Sequence, residues 1–168
     1  MNKAALTSIQ PPHTDNIFDL VKSIEWRTKP LPMGKHYCYE TKNGGGIGKV
    51  IGTFRVCEVI KFENACLIPE TFIDLGCVPK EFLMEYSKGK PIYANCIVDA
   101  RRYDEPKELS EFYRECEYDK DCGNCPFLFV ENTPNCYETW CEVDGKIPLK
   151  RPPQSWCYVE ELKGDKPQ

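Results

Sequence analysis

The chain has 168 residues, enough for one domain of ordinary size with a buried core. Hydrophobic residues make up 41% and charged residues 29%, a globular balance, and no run of about 18 apolar residues occurs that would span a bilayer. With 22 basic and 26 acidic residues the formal charge is -4, which argues against broad, charge-driven binding to duplex DNA but leaves room for a local basic pocket.

The opening MNKAALTSIQPPH has no apolar stretch of secretory-signal length, so a cytoplasmic protein is expected. AALTSIQ reads as a short alternating strand. PPHTDNIFDLV offers Thr14 as an N-cap ahead of Ile17, Phe18 and Val21 at helical spacing, which predicts a short helix. LVKSIEWRTKPL then reads as a strand, with Ile24 and Trp26 on one side and Glu25 and Arg27 on the other. A carboxylate and a guanidinium on one face, with Lys22 at the mouth, are either a surface ion pair or the lining of a polar pocket. HYCYETK predicts the next strand. NGGGIGK is a flexible turn and no phosphate-binding loop, because the element after it is plainly a strand.

That strand, KVIGTFRVCEVIKF, puts Val50, Phe54, Val56, Ile60 and Phe62 on one face and Thr53, Arg55 and Lys61 on the other. VPKEFLMEYSKGKP predicts a helix from Pro79 to Gly89. PIYANCIVDARRY returns to strand, DEPKELSEFY predicts a helical turn from Pro106, and SWCYVEEL closes the chain as a strand. About six strands with two or three short helices predict a mainly β fold, a small, mostly antiparallel barrel in one domain over residues 1–168.

Eleven cysteines without an export signal point to reduced thiols and, where they cluster, to a metal. Cys38, Cys57, Cys66, Cys77, Cys96 and Cys157 are scattered, mostly among apolar residues, and read as small core residues. Cys116, Cys122, Cys125, Cys136 and Cys141 crowd into an insertion over residues 114–147. Cys122 and Cys125 form a CxxC, and four of the five thiolates would suit a structural zinc. The preferred set is Cys122, Cys125 and Cys141 with either Cys116 or Cys136. Reduced or disulfide-linked cysteines without metal, and a redox CxxC, are the alternatives.

The blocks LTSIQPPHTDNIFDLVKSIEWRTKPLP, HYCYETKNGGGIGKVIGTFRVCEVI and RPPQSWCYVEEL together resemble the ASCH domain family of the PUA-like superfold, in its prophage and phage-type form. Lys22, Glu25 and Arg27 match that family's Lys-x-x-Glu-x-Arg signature. The resemblance implies a small β-barrel whose cleft binds RNA or a modified nucleoside. Some members remove the acetyl group of N4-acetylcytidine with a lysine, a threonine and a glutamate, and others are reported as ribonucleases. Lys22 matches the catalytic lysine, Glu25 stands at the threonine position, and Glu81 and Glu85 are nearby candidates for the glutamate. A nucleophilic lysine must lose its proton, which Glu25 would oppose, so if the two face each other the pair suits binding better than attack; if strand alternation holds, they face opposite sides.

Three readings follow: an RNA- or nucleoside-binding module, an amidohydrolase of N4-acylated cytidine, and a phage-host interaction module. The expected ligand residues are Lys22, Glu25, Arg27, Trp26 and Tyr39, with Lys22 and Glu25 as the catalytic candidates. Tyr37 and Trp156 are further candidate stacking surfaces, with core packing the alternative for each aromatic. His13 and His36 have no evident partner in sequence and are given no role.

Overall fold

The computed structural model describes residues 3–116 and 145–163, together with the backbone of 128–133 and 136–141. In chain order the elements are β1 (Lys3–Ile9), α1 (His13–Phe18), β2 (Ile24–Arg27), β3 (Gly34–Glu40) and β4 (Val50–Phe62). These are followed by α2 (Glu70–Gly76), α3 (Lys80–Ser87), β5 (Ile92–Lys107), β6 (Tyr113–Glu115), β7 (Leu128–Thr133), β8 (Cys136–Cys141), β9 (Lys146–Pro148) and β10 (Trp156–Glu160). Among the described residues no helix is long and apolar enough to cross a membrane.

Six strands form one sheet in the order β10-β1-β3-β4-β5-β2, and β6 with β9 and β7 with β8 form two separate ladders. β1 and β3 run parallel, because the chain leaves β1, passes through α1 and β2 at the far edge, and returns beside its starting point. The other pairs of the large sheet are antiparallel. The expected barrel is therefore corrected to an open, mixed sheet in which no ladder joins β2 to β1 or β10. The sheet does curl. The Arg27 guanidinium at the end of β2 donates to the Ser8 carbonyl of β1 at 2.7 Å, so the two distant strands approach through a side chain instead of a backbone ladder.

Three apolar clusters hold this sheet. Ile24, Trp26, Ile73, Leu83 and Ile92 pack beneath α2 and α3. Leu6, Tyr37, Tyr39, Phe112 and Val159 pack on the other side of β1 and β3. Ile9, Ile17, Cys38, Phe54 and Val56 fill the space under α1. The alternation read along β4 holds for Val50, Phe54 and Val56, which are buried, against exposed Arg55 and Lys61.

Several local expectations need correction. Thr14 does not cap α1; it lies inside the helix, and its buried hydroxyl donates to Glu40 at 2.8 Å. The helical turn expected from Pro106 is strand: β5 runs on to Lys107. Its pairing with β4 is irregular between Arg102 and Lys107, and that gap tolerates a residue with no N–H to give. Only then does a short turn, Leu109–Glu111, form, closed by a reciprocal cap between Glu108 and Glu111. Of the six scattered cysteines only Cys38 is buried; Cys57 and Cys66 are exposed, because they fall on the outward side of β4 and in a turn.

His36, fully buried on β3, shows what burial does to a titratable group. Its Nε2 is 2.7 Å from the Pro32 carbonyl, which can only accept, so that nitrogen carries the proton. Its Nδ1 then accepts from the Thr7 hydroxyl at 2.7 Å, and the ring stacks on Phe54. Burial lowers its pKa to about 4, with Arg27 lowering it further and the Pro32 hydrogen bond opposing. The unfolded chain takes up this proton near pH 6.5 and the folded chain resists until about 4. The stability is thus complete above pH 6.5 and is lost as pH falls toward 4, by roughly 3 kcal/mol. Urea unfolding between pH 7.5 and 4.5 should register this loss, and His36→Gln should flatten the profile. A flat profile in the unsubstituted protein would mean that the ring is hydrated.

Candidate functional site

The open seam of the sheet is a cleft of about 270 Å³. Ser8 and Gln10 at the end of β1 form one wall, and Lys22 with β2 forms the floor. His13 of α1, Asn43 of the β3–β4 loop, Phe82 and Tyr86 of α3, and Gln154 ahead of β10 complete the rim. The β3–β4 loop is pinned at its base, where the Glu40 carboxylate accepts from the Ile47 amide at 2.9 Å and the Gly48 amide donates to the Glu40 carbonyl.

Lys22 precedes β2, after a turn in which Leu20 takes φ 60°. That turn frees Lys22 from strand alternation, and its Nζ comes 3.5 Å from Glu25 Oε2. On the other side Arg27 Nε donates to Glu25 Oε1 at 3.0 Å. Side-chain exposure is 1% for Lys22, 8% for Glu25 and 13% for Arg27, so this is no solvent-washed surface pair. Lys22 Nζ also donates to the Gly76 carbonyl at the end of α2, and Arg27 to the Ser8 carbonyl. Burial pushes the Glu25 carboxyl up, but Arg27 and then Lys22 outweigh it and hold the group below the usual carboxylate range. Two cations and one carboxylate leave the floor with one positive charge in excess.

Trp26 points the other way, into the core, with its ring 6.1 Å from Phe62. Its edge lies against Gly76, where an added Cβ would sit 2.0 Å from Trp26 Nε1, so that close approach requires glycine. Only part of the indole reaches the cleft wall.

His13 is the residue the sequence did not assign. It stands at the start of α1, and its Nδ1 is buried without a hydrogen-bond partner among the described residues. Burial lowers its pKa, Lys22 and Arg27 lower it further, and Glu25 opposes them, so the ring stands neutral at physiological pH. Its nearness to the triad depends on α1 packing over the seam, which no spacing in the sequence announces.

No protein-family model matches the chain, and no curated protein matches it. Solved structures do. The crystal structure of ASCH from Zymomonas mobilis matches with a TM-score of 0.61 at 16% identity, over 94% of this chain and 88% of that one. One mutant of that protein matches with a TM-score of 0.61 at 15% identity, over 94% and 89% of the two chains. Another gives 0.55 at 19% identity, over 64% and 77%. The chain has an ASCH-domain fold.

Within this ASCH-domain fold Lys22, Glu25 and Arg27 converge in one cleft, with Trp26 at its wall. Tyr39 does not join them. It is buried among Phe112, Leu149 and Val159, with Tyr37 in the same cluster. Glu81 and Glu85 are exposed on α3, and the residues of that helix that reach the cleft are Phe82, Leu83 and Tyr86.

Cys122 and Cys125 lie outside the described residues. Cys116 is buried, and Cys136 and Cys141 stand at opposite ends of β8. Among the described residues no group of three or more potential metal ligands is gathered.

The triad yields a direct expectation. Glu25→Ala leaves two buried cations facing each other and should cost about 3–5 kcal/mol in urea unfolding at pH 7. A loss below about 1 kcal/mol would show that water screens the three charges.

Proposed function

We propose that the cleft binds single-stranded RNA or a modified nucleoside. The observation that carries this reading is the convergence of the almost fully buried Lys22, Glu25 and Arg27 at the floor of an open concavity. A surface ion pair would be exposed, and a purely structural triad would be covered. The one-charge excess favours a ligand with a single phosphate or another anionic group. The volume is on the scale of one small ligand, and a net charge of -4 argues against broad, charge-driven binding to a duplex.

A lysine nucleophile must present a lone pair to its substrate. Lys22 instead donates to the Gly76 carbonyl and lies against Glu25, which favours a binding role over attack on an acylated cytidine.

Fluorescence anisotropy with short fluorescein-labelled RNAs tests the reading. Binding should be saturable, weaken with salt, and fall by about tenfold or more in Arg27→Lys, which keeps the charge but loses the two-pronged donor geometry. Equal binding by a folded Arg27→Lys protein would count against this cleft.

The insertion is proposed to hold a structural zinc through four of Cys116, Cys122, Cys125, Cys136 and Cys141, with Cys122, Cys125 and Cys141 joined by either Cys116 or Cys136. Elemental analysis of the purified protein should find one zinc per chain. Its absence, with all clustered thiols free to react, would end that proposal.

A further inference from the structure

The aromatic wall of the cleft carries chemistry that the charged floor does not use. Phe82 and Tyr86 stand four residues apart on α3, hence on one face of that helix. Their ring planes differ by 12° with centroids 6.2 Å apart. Both rings line the cleft, yet Phe82 is 52% exposed and Tyr86 40%. Leu83, between them, is buried in the core and anchors the helix, and Lys80 donates to the Ile68 carbonyl at its start. The helix is therefore fixed by other residues, and the two rings are left facing water.

What would cover them must also suit the floor. An aliphatic group would cover the rings but would strip water from the buried triad and give nothing back. The fitting occupant has a flat apolar face, a polar edge and one negative charge. Gln10, Asn43 and Gln154 bring side-chain amides to the cleft lining. Lys22 and Arg27 exceed Glu25 by one positive charge. An unpaired nucleotide meets all three demands, whereas a base within a duplex hides both faces in the stack.

We propose that Phe82 and Tyr86 form the platform on which one unpaired nucleobase stacks when the cleft is occupied. This rests on the nucleic-acid reading above and adds the residues that hold the base. Sequence-tolerant stacking of this kind recurs wherever single strands are bound, because every base has a π-face.

Short oligouridylates carrying a fluorescein tag and one 2-aminopurine, placed at each position in turn, separate stacking from binding. Anisotropy reports the complex, and 2-aminopurine fluorescence falls when that base stacks on an aromatic ring. In the unsubstituted protein, binding should be accompanied by severalfold quenching at one position. The double variant Phe82→Leu, Tyr86→Leu should abolish the quenching and weaken binding about tenfold. Phe82→Trp should keep both. Circular dichroism and the thermal midpoint verify the fold, and if the double variant does not fold, Tyr86→Leu alone with Phe82→Trp decides the matter. Binding without quenching at any position, or quenching undiminished in the leucine variants, overturns the platform and leaves the cleft reading standing. No anisotropy change in the unsubstituted protein removes both.

Discussion

The Glu25 carboxylate is the interaction on which the rest of the site depends. It is almost fully buried, and it keeps its negative charge only because Arg27 and Lys22 flank it. Each cation also reaches outward: Arg27 to the backbone of β1, Lys22 to the end of α2. One carboxylate thereby ties the free edge strand to the opposite side of the sheet and to the helical layer. Removing Glu25 would leave two buried cations without their counterpart, whereas removing either cation leaves the other still paired with the carboxylate.

This arrangement also explains why the sheet stays open. A barrel closes when the last strand completes a ladder with the first. β2 has only four residues, preceded by the turn at Leu20 and followed by Pro30 and Pro32. It is too short to pair on both sides along its length. Side-chain donors and carbonyl acceptors bridge the seam instead, and because they bridge it at a few points, space remains between them for a ligand. The polar groups around the seam are braced in turn: Thr14 on Glu40, Glu40 on the loop amide of Ile47, and Asn95 on the carbonyl of Glu25. Such bracing limits rotamer freedom at a binding floor before any ligand arrives.

The two sides of β3 divide the aromatic and titratable residues into separate roles. Tyr37 and Tyr39 go to the apolar side with Phe112, while Cys38 and Glu40 turn toward α1 and the cleft loop. The residues with exposed rings at the cleft come from a helix. An exposed aromatic pair on a well-anchored helix is costly unless something covers it, and the cleft offers the occasion.

The strands of the large sheet were legible in the sequence, although only β4 alternates between buried and exposed residues; β1, expected to alternate, and β3 are buried on both faces. The face shared by Glu25 and Arg27 was legible from strand alternation, but Lys22 joins them only because the turn at Leu20 takes it out of the strand. Helix α2 was not, because Glu70–Gly76 is a short segment whose burial is supplied by β2 and its neighbours. The extension of β5 past Pro106 was hidden because it depends on an irregular register with β4. By itself the sequence determined the six strands of the large sheet, the face shared by Glu25 and Arg27, and the spacing of the two rings on α3. Only the tertiary structure decided that the sheet stays open, that His13 and α3 meet the triad there, and that Tyr39 does not. Those outcomes rest on contacts between residues far apart in the chain, and local periodicity carries no information about them.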